Sequence, residues 1–190
     1  MHTQSSQSLS NQLLIAMPQL STGIFKSSVT YICEHNDEGA MGIIINRPSS
    51  LALADVLEDL GENAERLPSR PILVGGPVGM ERGFVLHDTA ITGQQWRSTL
   101  QVTDDIALTG SRDILSALAR GDGPENYLVA LGYAGWDAGQ LEDELSQNAW
   151  LTSPASADIL FNTPFEQRAK VAARQLGIDL AALSAQSGNA

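Results

Sequence analysis

One short stretch of the chain, residues 32–48, gathers the side chains best suited to chemistry: a thiol, an imidazole, carboxylates and amides beside an apolar run. A cysteine nucleophile needs a lowered pKa, which a neighbouring imidazolium can supply. Cys33 and His35 would share one face of a strand that continued through His35, and Glu34 would face the other way. The favoured alternative is that Cys33 is a small buried core residue, as most unpaired cysteines are.

Two histidines, His35 and His87, are candidates for an acid or a base, with Arg82 holding an anionic substrate. The favoured alternative is that both are solvated side chains at the ends of strands. A metal site needs three or four converging ligands, and the sequence contains no ligand spacing such as HExxH. We therefore predict no metal site and no cofactor, and the catalytic residues stay unassigned.

The glycine pair Gly75–Gly76 follows an apolar run, and such turns can cradle phosphate with backbone N–H groups. The pair lacks the Lys-Ser/Thr of a P-loop and a following amphipathic helix, so a tight turn is the favoured interpretation.

A second glycine-rich corner surrounds Tyr133 and Trp136 and is followed by Gln140. Aromatic and amide side chains of this kind can line a small-molecule cleft. A strand-to-helix corner packed by Trp136 and Trp150 explains the same residues equally well, so both interpretations stay open.

Composition restricts the partners of the chain. Its 22 acidic residues against 11 basic ones give a formal net charge of −11. Proteins bind nucleic acids largely through cationic contacts with phosphate, so direct nucleic-acid binding is disfavoured, as is binding to an anionic membrane. No apolar run is long enough to cross a bilayer, and the N-terminus lacks the basic and apolar regions of an export signal. With one cysteine and hence no internal disulfide, we expect a cytoplasmic protein.

Strand and helix patterns follow one another without regular alternation, which is typical of an α+β fold. Runs of apolar and β-branched residues predict strands at 13–17, 27–33, 40–46 and 127–136, with a hairpin tip at 34–39 and a short extended segment at 158–161. Apolar spacing predicts helices over 53–60, after Ser111 and after Asp137. A capping box at Thr163–Glu166, with Pro164 at the first helical position, predicts a further helix that ends near Leu176.

From these elements we predict one complex α+β domain over residues 12–185, with a mixed, largely antiparallel sheet and about four helices. Residues 1–11 are predicted to be a disordered N-terminal tail, and residues 186–190 a C-terminal tail.

Four stretches carry a family resemblance. They are LLIAMP (13–18), SVTYICEHNDEGAMGIIINRP (28–48), GGPVGMERGFVLH (75–87) and LGYAGWDAGQLEDELSQNAWL (131–151). Through these stretches the sequence resembles the AlgH/YqgE family of bacterial proteins, and the resemblance covers nearly the whole chain. The resemblance implies a complex single-domain α+β fold, a cytosolic protein and no known activity. One family name refers to the regulation of alginate synthesis, which implies at most an indirect role because no DNA-binding motif accompanies it.

The family's motif positions fall here on a set of candidate binding residues: Glu34, His35, Asn36, Arg47, Gly75, Gly76, Arg82, His87, Tyr133, Trp136 and Gln140. The leading hypothesis is a non-enzymatic binding protein or an indirectly acting regulator, whose partner is an unknown small molecule or protein. It predicts a shallow surface that includes Glu34, His35, Asn36, Arg82 and Trp136. The alternative is an enzyme for a small anionic substrate, with His35 or His87 as acid or base and Arg82 as the anion clamp. The alternative requires these side chains to converge in one concave pocket.

Overall fold

The computed structural model describes residues 7–89 and 95–187, and a ten-stranded sheet forms its framework. In chain order the strands are β1 (Gln12–Ala16), β2 (Val29–Asn36), β3 (Gly39–Ile44), β4 (Pro48–Ala52), β5 (Pro71–Val74), β6 (Val78–Asp88), β7 (Thr99–Gln101), β8 (Ile106–Thr109), β9 (Tyr127–Asp137) and β10 (Trp150–Pro154). Five α-helices in these ranges accompany the sheet: α1 (Leu53–Asp59), α2 (Arg112–Arg120), α3 (Gln140–Ser146), α4 (Arg168–Arg174) and α5 (Leu180–Ser187).

Strand β9 lies at the centre of the sheet. The main path runs β10-β1-β2-β3-β9-β6-β8-β7, while β5 joins β9 and β4 joins β5. The β5–β9 pair is parallel, and the other strand pairs within the described ranges are antiparallel. The predicted α+β fold with a mixed, largely antiparallel sheet is therefore confirmed. The described residues hold one α-helix more than the four or so predicted, because α5 occupies residues that the sequence pattern assigned in part to a loose tail.

Helices α1 and α2 form as their apolar spacing predicts. Leu53 and Leu57 of α1 are buried together with Ile114 and Leu118 of α2, against the β5, β6 and β9 side of the sheet. Burying a side chain of this size stabilises the fold by roughly 1.5–3 kcal/mol. Helix α2 ends at Gly121, whose φ of 80° is the left-handed conformation that glycine adopts without strain.

Strand β2 carries a β-bulge that decides which way its polar residues face. Ile32 lies opposite Gly42 and Glu34 lies opposite Met41, so Cys33 is the extra, unpaired residue. His35 lies opposite Ala40, and residues opposite each other in an antiparallel pair point to the same face. His35 therefore faces the same side as Ile32, whereas Cys33 faces the other side of the sheet. In a regular strand, alternate side chains would place Cys33 and His35 on one face. The one extra residue of the bulge shifts this alternation, so the two side chains lie on opposite faces.

The segment before α4 differs from the sequence prediction. Residues Asp158–Asn162 form a π-helical turn, where an extended segment was predicted. The predicted capping box is also wrong, because the Thr163 hydroxyl donates to the carbonyl of Asp158, and a 3₁₀ turn, Phe165–Gln167, precedes α4. The physical reason lies in Arg168, whose guanidinium donates to the carbonyls of Thr163 and Ile45 and so ties this segment to the core.

The ends of the chain are described only in part. Residues 1–6 and 188–190 of the two predicted tails lie outside the described residues. Leu9 and Asn11, which were predicted to be disordered, instead hydrogen-bond to His35 and Ile32 of β2. The boundaries of the predicted domain remain a prediction. Within the described ranges, no helix combines the length and the apolar character needed to cross a bilayer.

Candidate functional site

His35 is buried at 8 % exposure, and both of its ring nitrogens are engaged. Nδ1 accepts a hydrogen bond from the backbone N–H of Leu9 at 2.9 Å, so the proton of the neutral ring is on Nε2. Nε2 lies 2.6 Å from a carboxylate oxygen of Glu142 on α3. Hydrogen bonds from its own backbone N–H and from His35 lower the pKa of Glu142, which is therefore ionised at neutral pH. The His35 ring joins the N-terminal segment, β2 and α3, and it is not the solvated strand-end histidine that was favoured from the sequence.

Helix α3 also organises the aromatic corner. One carboxylate oxygen of Glu144 accepts the indole N–H groups of Trp136 and Trp150, at 2.9 Å and 2.7 Å. The Gln140 amide donates to the other oxygen of Glu144, and its carbonyl accepts the backbone N–H of Asp137. Both indole rings are buried and pack edge to face. These contacts are those of a packed strand-to-helix corner, and the polar atoms of Trp136 and Gln140 are used within it.

His87 occupies a different place, at the far end of β9. It lies opposite Tyr127, nine residues along β9 from the position of Trp136, a path of about 30 Å at ~3.3 Å per residue. Nδ1 donates to the carbonyl of Asp88, and Nε2 therefore accepts the hydroxyl proton of Thr109 at 2.8 Å. Burial lowers the pKa of His87, so the ring is neutral at pH 7. His87 is also buried, at 2 % exposure, rather than solvated.

The remaining candidate residues are dispersed, although two of them, Arg82 on β6 and Tyr133 on β9, both contact Phe84. Arg82 is exposed and lies over the ring of Phe84, which in turn packs edge to face against Tyr133. Beneath them, the backbone of Gly75–Gly76 approaches β9 so closely that a Cβ on Gly76 would lie 2.0 Å from the Tyr133 carbonyl carbon. The backbone N–H of Gly75 already donates to the carbonyl of Leu131, so the two glycines mark the point where this segment crosses close to the backbone of β9.

Three further candidates have local roles. Asn36 accepts the backbone N–H of Glu38 and so closes the β2–β3 turn, as residues of this type commonly do. Glu34, on the same strand end, is exposed. Arg47 donates to the carbonyl of Lys26 at 2.8 Å.

Cys33 is a core residue. It is 2 % exposed, and its thiol faces the cluster that contains Tyr31 and Ile43. Burial raises the pKa of the Cys33 thiol, which is the opposite of what a nucleophilic cysteine needs. Among residues 7–89 and 95–187, no group of three metal-binding side chains is close enough to hold an ion.

A cavity that the sequence patterns did not indicate lies at the start of the parallel strand pair. Because β5 and β9 are parallel, their first residues, Pro71 and Tyr127, lie at the same edge of the sheet. The segment from Phe161 to Arg168 lies across this edge, and the two together line a partly open space of about 410 Å³. We call this space the arginine cavity, because Arg70 and Arg168 both line it.

Arg168 is the most unusual residue of the arginine cavity. Its side chain is 2 % exposed, and its guanidinium lies 4.6 Å from the centre of the Phe165 ring. In the parts of the chain that the structure describes, it forms no ion pair with a carboxylate. Burial lowers the pKa of Arg168 to about 10, which leaves the group cationic at pH 7. A buried charge without a counter-charge destabilises a fold, so this side chain requires an explanation.

The other walls of the cavity combine a second cation with apolar surface. The Arg70 guanidinium lies 4.5 Å from the centre of the Tyr127 ring and donates to the Tyr127 carbonyl. Leu53, Phe161 and Phe165 supply apolar surface. The sequence did hold one signal for this site. Arg168 is three residues after Phe165 and four before Ala172, so a basic residue interrupts the apolar stripe of this segment.

The chain matches the AlgH-like family model over residues 13–181. The chain belongs to the AlgH-like family. Relatives of this AlgH-like chain include UPF0301 proteins of Xanthomonas campestris pv. campestris (strain B100) and Thioalkalivibrio sulfidiphilus. The Xanthomonas relative is 53 % identical, and the match covers 96 % of both chains. The Thioalkalivibrio relative is 52 % identical, and the match covers 97 % of this chain and 98 % of the relative.

Solved structures similar to the AlgH-like chain include one from Pseudomonas aeruginosa and one from Corynebacterium diphtheriae. The solution structure of the AlgH protein from Pseudomonas aeruginosa is 49 % identical, with a TM-score of 0.76 over 100 % of both chains. A crystal structure of a protein from Corynebacterium diphtheriae is 16 % identical, with a TM-score of 0.74 over 96 % of this chain and 94 % of that one. At that identity the second likeness concerns the fold alone.

Proposed function

We propose that this AlgH-like chain is a non-enzymatic binding protein that holds a small ligand in the arginine cavity. The observation that carries the proposal is the buried Arg168, a cation that lines a cavity and has no ion-pair partner among the described residues. Ligand pockets of proteins are concave, mostly apolar and fitted with few polar groups, and the arginine cavity has these features. A bound anion would supply the charge that Arg168 lacks.

The chemistry of the cavity favours binding over catalysis. The charged side chains that line it are those of Arg70, Arg168 and Glu166, and the lining contains neither histidine nor cysteine. Arginine remains protonated at neutral pH and does not serve as a base. A general base must reach the proton that it removes, and the two candidate histidines are engaged elsewhere in the fold.

Engagement of both ring nitrogens weighs against the enzyme alternative. For His35 to accept a proton at Nδ1, its bond to the Leu9 backbone would have to break. For His87 to do so at Nε2, the Thr109 hydroxyl would have to turn away in a buried site. Arg82, the suggested anion clamp, lies over Phe84 and is remote in the sheet from the position of His35.

We also propose an indirect regulatory role and a cytoplasmic location for this chain. A regulatory role of this AlgH-like chain would be indirect, exerted through its ligand or a protein partner, because a net charge of −11 opposes direct contact with nucleic acid. A free, buried Cys33 is compatible with the cytoplasmic location that we propose.

The test combines binding with turnover. The full chain is incubated with small organic anions and matched neutral compounds, binding is measured by thermal shift, and each compound is quantified by mass spectrometry. A ligand that binds only the native state raises the melting temperature by mass action. We expect anion-dependent shifts that survive His35→Gln and Arg82→Gln, with no compound consumed. Consumption of a compound that stops in either variant would establish the enzyme alternative instead.

A further inference from the structure

We propose that the ligand of the arginine cavity is a small monocarboxylate with an apolar body, such as an arylalkanoate or a short alkanoate. This inference rests on the proposed function, because it names the ligand class of the same cavity.

The net charge of the residues that line the cavity favours a ligand with a single negative charge. Arg70 and Arg168 contribute two positive charges and Glu166 one negative charge, so the lining carries a formal charge of plus one. Burial keeps Tyr127 neutral, because it raises the pKa of the phenol. One carboxylate would neutralise the cavity. A dianion such as a phosphate monoester would leave excess negative charge in a partly desolvated site, where it is unfavourable.

The hydrogen bonds of Arg168 leave one nitrogen for a ligand. A guanidinium has five N–H groups in one plane. Nε donates to the Thr163 carbonyl at 3.0 Å and Nη1 donates to the Ile45 carbonyl, which together hold that plane in place. Nη2 makes no hydrogen bond to any residue in the described ranges. The two N–H groups on Nη2 are therefore available, and arginine binds carboxylates through short charge-assisted hydrogen bonds.

The apolar walls imply that the carboxylate carries a hydrophobic body. Leu53, Pro71, Phe161 and Phe165 all line the cavity. The space of about 410 Å³ lies within the range of small-molecule sites. Acetate would satisfy the arginines and leave these walls in contact with water, so a longer acid gains affinity by covering them.

Isothermal titration calorimetry of the full chain tests this with four probes: phenylacetate, its neutral amide, acetate and phenyl phosphate. We expect phenylacetate to bind, and the amide and acetate each to bind at least about tenfold more weakly, because each lacks one half of the proposed recognition. Phenyl phosphate should also bind more weakly than phenylacetate, since its second charge is not matched.

Charge variants locate the site. Arg70→Gln should weaken phenylacetate binding by about tenfold or more. Glu166→Gln should strengthen it by roughly twofold to fivefold, because an exposed carboxylate repels the ligand only weakly. Arg168→Lys, which keeps the charge and loses the planar fork, should also weaken binding. Arg120→Gln is the matched control, since Arg120 is exposed and pairs with Asp122 at the end of α2.

Several results would overturn the inference. One is equal affinity for phenylacetate and its amide, and another is no heat of binding at millimolar phenylacetate with the native chain. Binding that is unchanged in Arg70→Gln and in folded Arg168→Lys would place the ligand outside the arginine cavity. That result would overturn this inference and the proposed site, but it would leave the non-enzymatic binding role itself untouched. Consumption of phenylacetate would instead defeat the proposed function.

Discussion

The clearest test of the packing around the arginine cavity is the substitution Tyr127→Phe. The Tyr127 hydroxyl is buried and has no hydrogen-bond partner among the described residues. Such a group has lost its water without gaining a partner, which costs about 1–3 kcal/mol. Phenylalanine keeps the ring on which Arg70 stacks and removes only the oxygen. We therefore expect Tyr127→Phe to raise the free energy of unfolding by about 1 kcal/mol.

Tyr31→Phe is the matched control, because it makes the same chemical change at a satisfied hydroxyl. The buried Tyr31 donates to the Asn11 side chain at 2.9 Å, and a hydrogen bond of this kind stabilises by about 0.5–1.5 kcal/mol. Tyr31→Phe should therefore lower the free energy of unfolding by about 1 kcal/mol. The two variants have the same composition. Their free energies of unfolding should differ by about 2 kcal/mol, one above and one below the value of the native chain.

Urea unfolding at pH 7, followed by tryptophan fluorescence, measures both values, and the midpoints are compared at a common slope. A thermal scan should show a separation of about 4–8 °C for a chain of this size. Equal destabilisation by both substitutions would refute the reasoning, because it would mean that the Tyr127 hydroxyl has a partner that stabilises the fold.

Three further predictions concern other parts of the chain. Because burial lowers the pKa of His87 below its unfolded value of about 6.5, the unfolded state alone takes up this proton as the pH falls below about 6.5. Stability should then decrease with falling pH by at most about 1.4 kcal/mol per unit, and His87→Gln should reduce that slope in urea titrations at several pH values. Gly132→Ala should destabilise the fold by about 1–3 kcal/mol more than Gly139→Ala. Both glycines have positive φ, but only a Cβ at Gly132 would meet the Gly76 carbonyl oxygen, at 2.4 Å. Equal losses of stability in the two variants would exclude the close contact. Cys33 should react with a thiol reagent only after unfolding, and rapid labelling of the native chain would contradict its burial.

Local patterns predicted the elements whose causes are local. Helix α2 follows from apolar residues at helical spacing and a glycine that can adopt φ of 80° at its end. The strands β2, β3 and β9 follow from runs of β-branched and apolar residues. A strand-to-helix corner packed by Trp136 and Trp150 was one of two interpretations left open by the sequence. The structure has this corner, and Glu144, which accepts both indole N–H groups, was not anticipated.

Where a second, distant segment decides the outcome, the patterns failed. A capping box at Thr163 is a sound local prediction, but Arg168 bonds to Ile45, 123 residues earlier in the chain, and the turn forms around that contact. The orientation of His35 is a similar case, since the bulge at Cys33 exists only in the pairing of β2 with β3.

The sequence by itself determined the α+β class, the identity of most strands and helices, and the acidic character that opposes nucleic-acid binding. Each of these follows from composition or from the spacing of neighbouring residues. Only the tertiary structure decided that the candidate histidines are buried and engaged, and that Arg70 and Arg168 line one cavity. Nothing in local spacing brings residues 70 and 168 together. They meet because the parallel pairing of β5 with β9 creates an edge that the segment before α4 covers.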